Sequence, residues 1–187
     1  MSLELLESFA DPKEFRDGFH LGVEGNTLSI ELEMGRILKD LVAEWKPKIC
    51  VEIGTGNGYS TSWILMGSNG SKVYTVDNTD RSPYFWDKIG LDKKPIVSRG
   101  TIQEVVKDLP NKIDFIFHDA GHKAHFVIPD LEILEPKMAK RCLITIHDTN
   151  YSRQMGDDMR NYFENKKGWK YAEIIRGCGL GMATKGK

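Results

Sequence analysis

Between positions 51 and 61 the sequence reads VEIGTGNGYST, an apolar stretch carrying one acid, Glu52, and then three glycines at alternate positions, Gly54, Gly56 and Gly58. Glycines so spaced at the end of a strand let bare backbone pass close to a ligand, and they aim the N-terminus of the next helix at an anionic group. Farther along, four of the five histidines, His118, His122, His125 and His147, lie between positions 118 and 147, together with Asp119, Asp130 and Asp148. Imidazoles exchange protons near neutral pH, and paired carboxylates can share a cation or a hydroxyl. The chemistry these residues offer is proton transfer beside a bound ligand that carries an anionic group.

Such groups need a scaffold that brings them together. Apolar residues Leu28, Ile30, Leu32, Met34, Ile37, Leu38, Leu41 and Val42 recur at helical spacing, with Asn26 or Thr27 available as a cap, so one long helix is expected up to Pro47. Short apolar runs then alternate with helical segments. Strands are expected at 48–54, 71–78, 94–100, 112–120 and 141–149, and helices at 59–67, 101–109, 125–138 and 152–166. The last stretch, 168–185, reads as two strands about a glycine-rich turn. This order predicts an α/β fold: a seven-stranded, mostly parallel Rossmann-like sheet with a C-terminal antiparallel hairpin and helices on both faces.

In open sheets of this kind ligands bind beyond the carboxyl ends of the strands, where the winding direction reverses. Those ends carry the glycines after the first strand, Asp77 after the second, Asp119 after the fourth and Asp148 after the fifth. An acid at the position of Asp77 can accept hydrogen bonds from ribose hydroxyls. A nucleoside cofactor follows. The glycines do not keep the G-x-G-x-x-G spacing of a dinucleotide site, which weighs against the alternative of an NAD-type oxidoreductase.

VEIGTGNGYST together with VYTVDN resembles the first two motifs of class I S-adenosylmethionine (SAM) dependent methyltransferases, and the likeness runs over about residues 25–185. Within that superfamily the chain is most similar to small O-methyltransferases of the catechol and caffeoyl-coenzyme A type, and to a related methyltransferase-domain family with D-x-x-H after the fourth strand. The resemblance implies that Glu52, Gly54, Gly56, Gly58, Tyr59, Ser60, Asp77 and Asp119 surround the cofactor, with Tyr59 and Ser60 at its methionine end and Asp77 at its ribose. It also implies that Ile102 and Gln103, in GTIQEVV, line the adenine.

The same resemblance implies a catalytic group three residues after Asp119. Those enzymes carry a lysine there; this chain has His122, followed by Lys123. A histidine can take a hydroxyl proton at neutral pH, so His122 is the expected base, with Asp119 beside it and Lys123 in reserve. Magnesium or another divalent cation is implied near Asp119 and Asp148. Here Thr149 and then Asn150 follow the second aspartate, where the relatives carry an amide or acid, so the expected metal set is Asp119, Asp148, Thr149 and Asn150. His118 and His147 each precede a rim aspartate, and strand alternation is expected to turn them to the opposite face, as packing or supporting residues.

Two further readings stand beside this one. His122, His125 and Asp119 could bind zinc in a hydrolase-like site, which would leave the glycine turn without a purpose. A SAM-binding protein without turnover is the other. Composition narrows the partners. With 187 residues, 40% hydrophobic and 28% charged, and a net charge of −1, the sequence predicts one folded domain over 1–187 and no nucleic-acid groove. It has no apolar run of spanning length, and its acidic start is unlike an export signal, so a cytoplasmic protein without membrane contact is expected. The three cysteines lack metal or redox spacing and read as free thiols. Tyr84, Phe85 and Trp86 are expected to pack. Phe9, Phe15 and Phe19 sit in an N-terminal extension, 1–25, that can serve as a lid. The expected partner is a small-molecule methyl acceptor, and a homodimer is left open.

Overall fold

The structure, a computed structural model, describes residues 30–82 and 84–186. The N-terminal extension, its phenylalanines and the Asn26 or Thr27 cap lie outside the described residues. Among those described, the elements run α1 (Leu32–Trp45), β1 (Ile49–Ile53), α2 (Tyr59–Gly67), β2 (Lys72–Asp77), α3 (Phe85–Lys88), β3 (Ile96–Arg99), α4 (Ile102–Val105), β4 (Ile113–His118), α5 (Ala124–Leu134), β5 (Met138–His147), α6 (Arg153–Glu164), β6 (Trp169–Ile174) and β7 (Leu180–Lys185). The strands form one seven-stranded sheet in the order β3-β2-β1-β4-β5-β7-β6, parallel except for the antiparallel pairings of β7 with β5 and β6. The expected architecture holds.

Why the strands read as apolar runs is clear from their two faces. Cys50, Phe115, Phe117 and Leu143 pack under α1, α2 and α3 with Leu38, Tyr59, Trp63 and Phe85. Their neighbours in sequence, Val51, Ile116 and Ile144, pack on the other face with Val127, Leu131, Met159 and Phe163 of α5 and α6. Both sides of a central strand are therefore dry, and alternation disappears. Tyr84, Phe85 and Trp86 are buried, as expected of packing residues.

Phe85–Lys88 forms a helical turn that was not expected, and three expected elements change their bounds. The helix predicted over 101–109 is one turn of α-helix, Ile102–Val105, because Asp108 donates back to the Val105 carbonyl and Pro110 disfavours a helical Leu109. The helix predicted to run to 138 ends at Leu134 in a short 3₁₀ turn holding Pro136, and β5 starts three residues early. Among the described residues no helix is long and apolar enough to cross a membrane.

The chain winds β1 to β3 toward one edge and returns through β4 and β5 on the other side of β1. Close packing of the covering helices fixes their distance. Gly67, at the end of α2, lies against α1: a Cβ there would stand 2.3 Å from the Lys39 carbonyl oxygen, an atom that cannot swing aside. Gly67→Ala is therefore expected to lower stability by about 1–3 kcal/mol in urea denaturation, through forced separation of α1 and α2. An unchanged midpoint would refute that contact.

Candidate active site

A cavity of about 1040 Å³ opens beyond the carboxyl ends of β1, β2, β4 and β5. Gly54 and Gly56 line it with φ of 98° and 51°, a conformation that side chains disfavour, and a Cβ on Gly54 would lie 2.6 Å from the Asp119 carbonyl oxygen. The turn must be bare because two loops meet there. At the end of β2, Asp77 accepts from the Gly56 N–H (2.8 Å) and from the N–H and hydroxyl of Thr79 (2.8 and 2.7 Å). It is fixed in place with lone pairs left for further donors.

Glu52 supports the turn from below. It is fully buried and accepts hydrogen bonds from Ser60 (2.6 Å), Thr61 and Thr75 (2.6 Å), joining β1 to the first turn of α2 and to β2. Burial pushes its carboxyl up to about 7, outweighing the three hydroxyls that favour the ionised form. Ser60 reaches the cavity; Glu52 does not.

The rim across β4 and β5 is set by register. His118 pairs with Ile146, which brings Asp119 beside His147 rather than beside Asp148. His147 Nδ1 lies 3.1 Å from Asp119 and 3.3 Å from Asp148, while Nε2 lies 3.0 Å from Glu31, the residue before α1. Burial disfavours the charged ring, but hydrogen bonds to Asp119, Asp148 and Glu31 overcome it and push the imidazole up to about 12. Glu31 is held well below the ordinary carboxylate range, chiefly by His147, and also accepts from the Cys178 N–H at 2.8 Å. Asp148 has φ 64°, a left-handed turn that an aspartate tolerates, and this swings its carboxylate onto His122 Nδ1. Burial would raise the Asp148 carboxyl, yet its bonds to His147 and His122 keep it lowered.

His122, Asp119 and Asp148 all line the cavity, along with Gly54, Gly56, Ser60, Asp77, Ile102 and Gln103. Other expectations need correction. Tyr59 lies in the core, edge-on to Trp63 and Phe85, because its place at the start of α2 turns it toward α3. Gly58 serves packing, since a Cβ there would stand 2.4 Å from the Trp86 ring. Neither Gly58 nor Lys123 lines the cavity; Lys123 flanks α5 as its N-cap residue. Thr149 is buried against Gly179, and the Asn150 amide donates to the Ile175 and Gly177 carbonyls, so both are turned toward the β6–β7 connection and away from Asp119. His147, expected on the opposite face, belongs to the rim because the register offsets the two strands. His118 does face away, bonding Asp130 of α5 at 3.1 Å.

Glu31 is a cavity residue that the sequence did not single out, and no spacing signal points to it, since it meets His147 from 116 positions away. For a divalent cation, Asp119, His147 and Asp148 each offer one ligand atom, all within 4.8 Å of one another. A nitrogen in that set suits a transition ion better than magnesium.

Residues 51–149, which carry the glycine turn and both rim aspartates, match a family model described as "Methyltransferase domain". The chain belongs to that family. Among relatives, this methyltransferase domain is 30% identical over 112 residues to the "Transmembrane O-methyltransferase homolog" of Rattus norvegicus, covering 54% of the chain and 43% of that protein. The chain therefore spans less than half of that relative. Solved structures resemble the methyltransferase domain over nearly its whole length. An O-methyltransferase from Bacillus cereus in complex with SAH superposes with a TM-score of 0.72 at 19% identity, covering 98% of this chain and 90% of that one. The O-methyltransferase TomG from Streptomyces achromogenes, in complex with SAM, gives 0.75 at 15%, covering 99% and 91%. At such identities the likeness carries the fold.

The raised Glu52 carboxyl ties stability to pH. The folded state keeps a proton that the unfolded chain releases above its ordinary 4.5, so the contribution is complete below that value and is lost as pH rises toward 7. Relative to Glu52→Gln, wild-type protein should lose roughly 3 kcal/mol over that window in denaturant titrations at several pH values. Parallel curves for the two proteins would contradict a proton held on Glu52.

Proposed function

We propose that the protein is a SAM-dependent methyltransferase acting on a hydroxyl oxygen of a small molecule, with His122 as general base. What carries this reading is that an oriented histidine shares one cavity with a bare glycine turn and an acid suited to a nucleoside: His122, Gly54, Gly56 and Asp77 all line it. Family membership and the SAM and SAH complexes of similar folds support it.

The residues fit such a cofactor. Gly54 and Gly56 line the cavity with backbone alone, Asp77 has acceptor capacity for ribose hydroxyls, and the cavity volume suits a nucleoside together with an acceptor. When bound, SAM supplies an electrophilic methyl group on sulfur, which an oxygen displaces in line. Asp148 accepts the Nδ1 proton of His122 and so fixes the tautomer in which Nε2 carries the lone pair. That nitrogen takes the acceptor's hydroxyl proton. Its ring is 61% exposed, so a substrate can reach it without displacing protein. Asp119 and His147 line the same cavity. A divalent cation, when held by Asp119, His147 and Asp148, would lower the pKa of the same hydroxyl.

His122→Ala should reduce methyl release from labelled SAM to a panel of hydroxyl acceptors about 100-fold or more while leaving calorimetric affinity for S-adenosylhomocysteine unchanged. Equal loss of both would argue against the base. In thermal unfolding, S-adenosylhomocysteine should raise the wild-type midpoint and NAD should not; the reverse result would point to a dinucleotide enzyme.

A further inference from the structure

Glu31 gives up a local role for a distant one. It is the N-cap residue of α1, where a side-chain oxygen can accept from the helix's own first N–H groups, yet it makes no such bond. Its carboxylate reaches across the site instead: Oε2 meets His147 Nε2 at 3.0 Å, and Oε1 accepts from the Cys178 N–H at 2.8 Å. No step of the proposed reaction uses it.

Three carboxylates face the His147 ring, and an ionised carboxylate only accepts, so both ring nitrogens present hydrogens. Nδ1 is shared between Asp119 Oδ1 at 3.1 Å and Asp148 Oδ1 at 3.3 Å, while Nε2 is held by Glu31. Asp148 turns its other oxygen, Oδ2, to His122 Nδ1. Of the two rings that hold Asp148, His147 is buried and His122 is mostly exposed. The buried ring is therefore the fixed point from which Asp148 is aimed, and Glu31 anchors its far side. A second path closes the loop: the Cys178 carbonyl accepts from the Asn150 N–H at 2.7 Å, two residues beyond Asp148. Glu31 thus reaches the turn that carries Asp148 from both sides. That turn needs the support, because Asp148 sits at φ 64°, which a residue other than glycine keeps only when its surroundings hold it.

Resting on the reading of His122 as base, we propose that Glu31 is a positioning residue: acting through His147 and Asp148, it keeps His122 in the tautomer whose Nε2 carries the lone pair. Without Glu31, His147 Nε2 is left to water and its ring can swing. Asp148 then loses its fixed orientation, and His122 loses the acceptor that holds the hydrogen on Nδ1. The other tautomer, with the hydrogen on Nε2, can take no proton there.

Glu31→Ala and Glu31→Gln test this, with Glu33→Ala as the control. Glutamine keeps the shape of the acid but has one oxygen, so it can accept from His147 or from the Cys178 N–H and not from both. Glu33 pairs with Arg176 of the same β6–β7 connection at 3.1 Å, so its loss loosens α1 from that connection while leaving the Glu31 contacts in place. The tautomer of His122 is read from ring-nitrogen chemical shifts at about pH 8.5, above the ordinary imidazole range. Methyl release from labelled SAM to the panel of hydroxyl acceptors is measured beside calorimetric affinity for S-adenosylhomocysteine. Wild type and Glu33→Ala should carry the His122 hydrogen on Nδ1 and turn over alike. Glu31→Ala should move the ring toward the Nε2–H form and lower turnover roughly 10- to 100-fold with cofactor affinity unchanged, and Glu31→Gln should fall between. An Nε2–H ring in wild type, or a Glu31→Ala protein that matches wild type in tautomer or in turnover, would overturn the proposal and leave the SAM reading intact. So would an equal loss in Glu33→Ala, which would trace the effect to docking of the helix. Failure of wild type to bind S-adenosylhomocysteine would instead remove the SAM reading, and this proposal with it.

Discussion

The site is governed by the register of β4 against β5. In a parallel pair each residue's neighbour across the ladder is fixed once one pair is fixed, and a slip of one residue exchanges the faces of every side chain. Because His118 pairs with Ile146, Asp119 and His147 become neighbours on the face that α1 covers, and His118 is sent to the face that α5 covers. The ladder shifts early, between Ile113 and Phe115, and so the two histidine–aspartate pairs end up staggered rather than aligned. From that stagger follow the burial of His147 among three carboxylates and the separate pairing of His118 with Asp130.

A second constraint is the thinness of the β1 turn. Gly54 sits so near the Asp119 backbone that the ends of β1 and β4 form one surface, further tied by the Asp119 N–H donating to the Ile53 carbonyl at 2.8 Å. Glu52, two residues earlier, ties the same turn to α2 and β2 through hydroxyls. The glycine turn and the His122–Asp148 rim are thus built on one group of strands whose relative placement leaves little slack. For the proposed displacement reaction that placement matters, since its rate depends on holding the reacting atoms in line.

The architecture was legible in the sequence because helix periodicity and apolar strand runs are local signals, and their alternation leaves few topologies. Gly54, Gly56, Asp77, Asp119 and His122 were legible for a related reason: each sits at or just beyond the end of a strand, where the chemistry of such sheets is found. Less could be read wherever the outcome depended on a pairing between distant segments. Strand alternation taken alone turned His147 away from the rim, since the stagger of β4 and β5 lies in no local pattern. The left-handed turn at Asp148, which brings its carboxylate onto His122, shows no glycine to announce it. Tyr59 was misplaced because a residue type common at ligand sites also fills cores, and only the position of α3 decides between them.

Glu31 spans the chain's extremes: it grips His147 at the end of β5 and the backbone of Cys178 in the β6–β7 connection, 147 positions away in sequence. Its partner His147 stands on β5, but the Cys178 N–H comes alongside only once the connection between β6 and β7 is in place. Closing that contact joins segments far apart in sequence, so it belongs to the slow, non-local part of folding rather than to any single helix or strand.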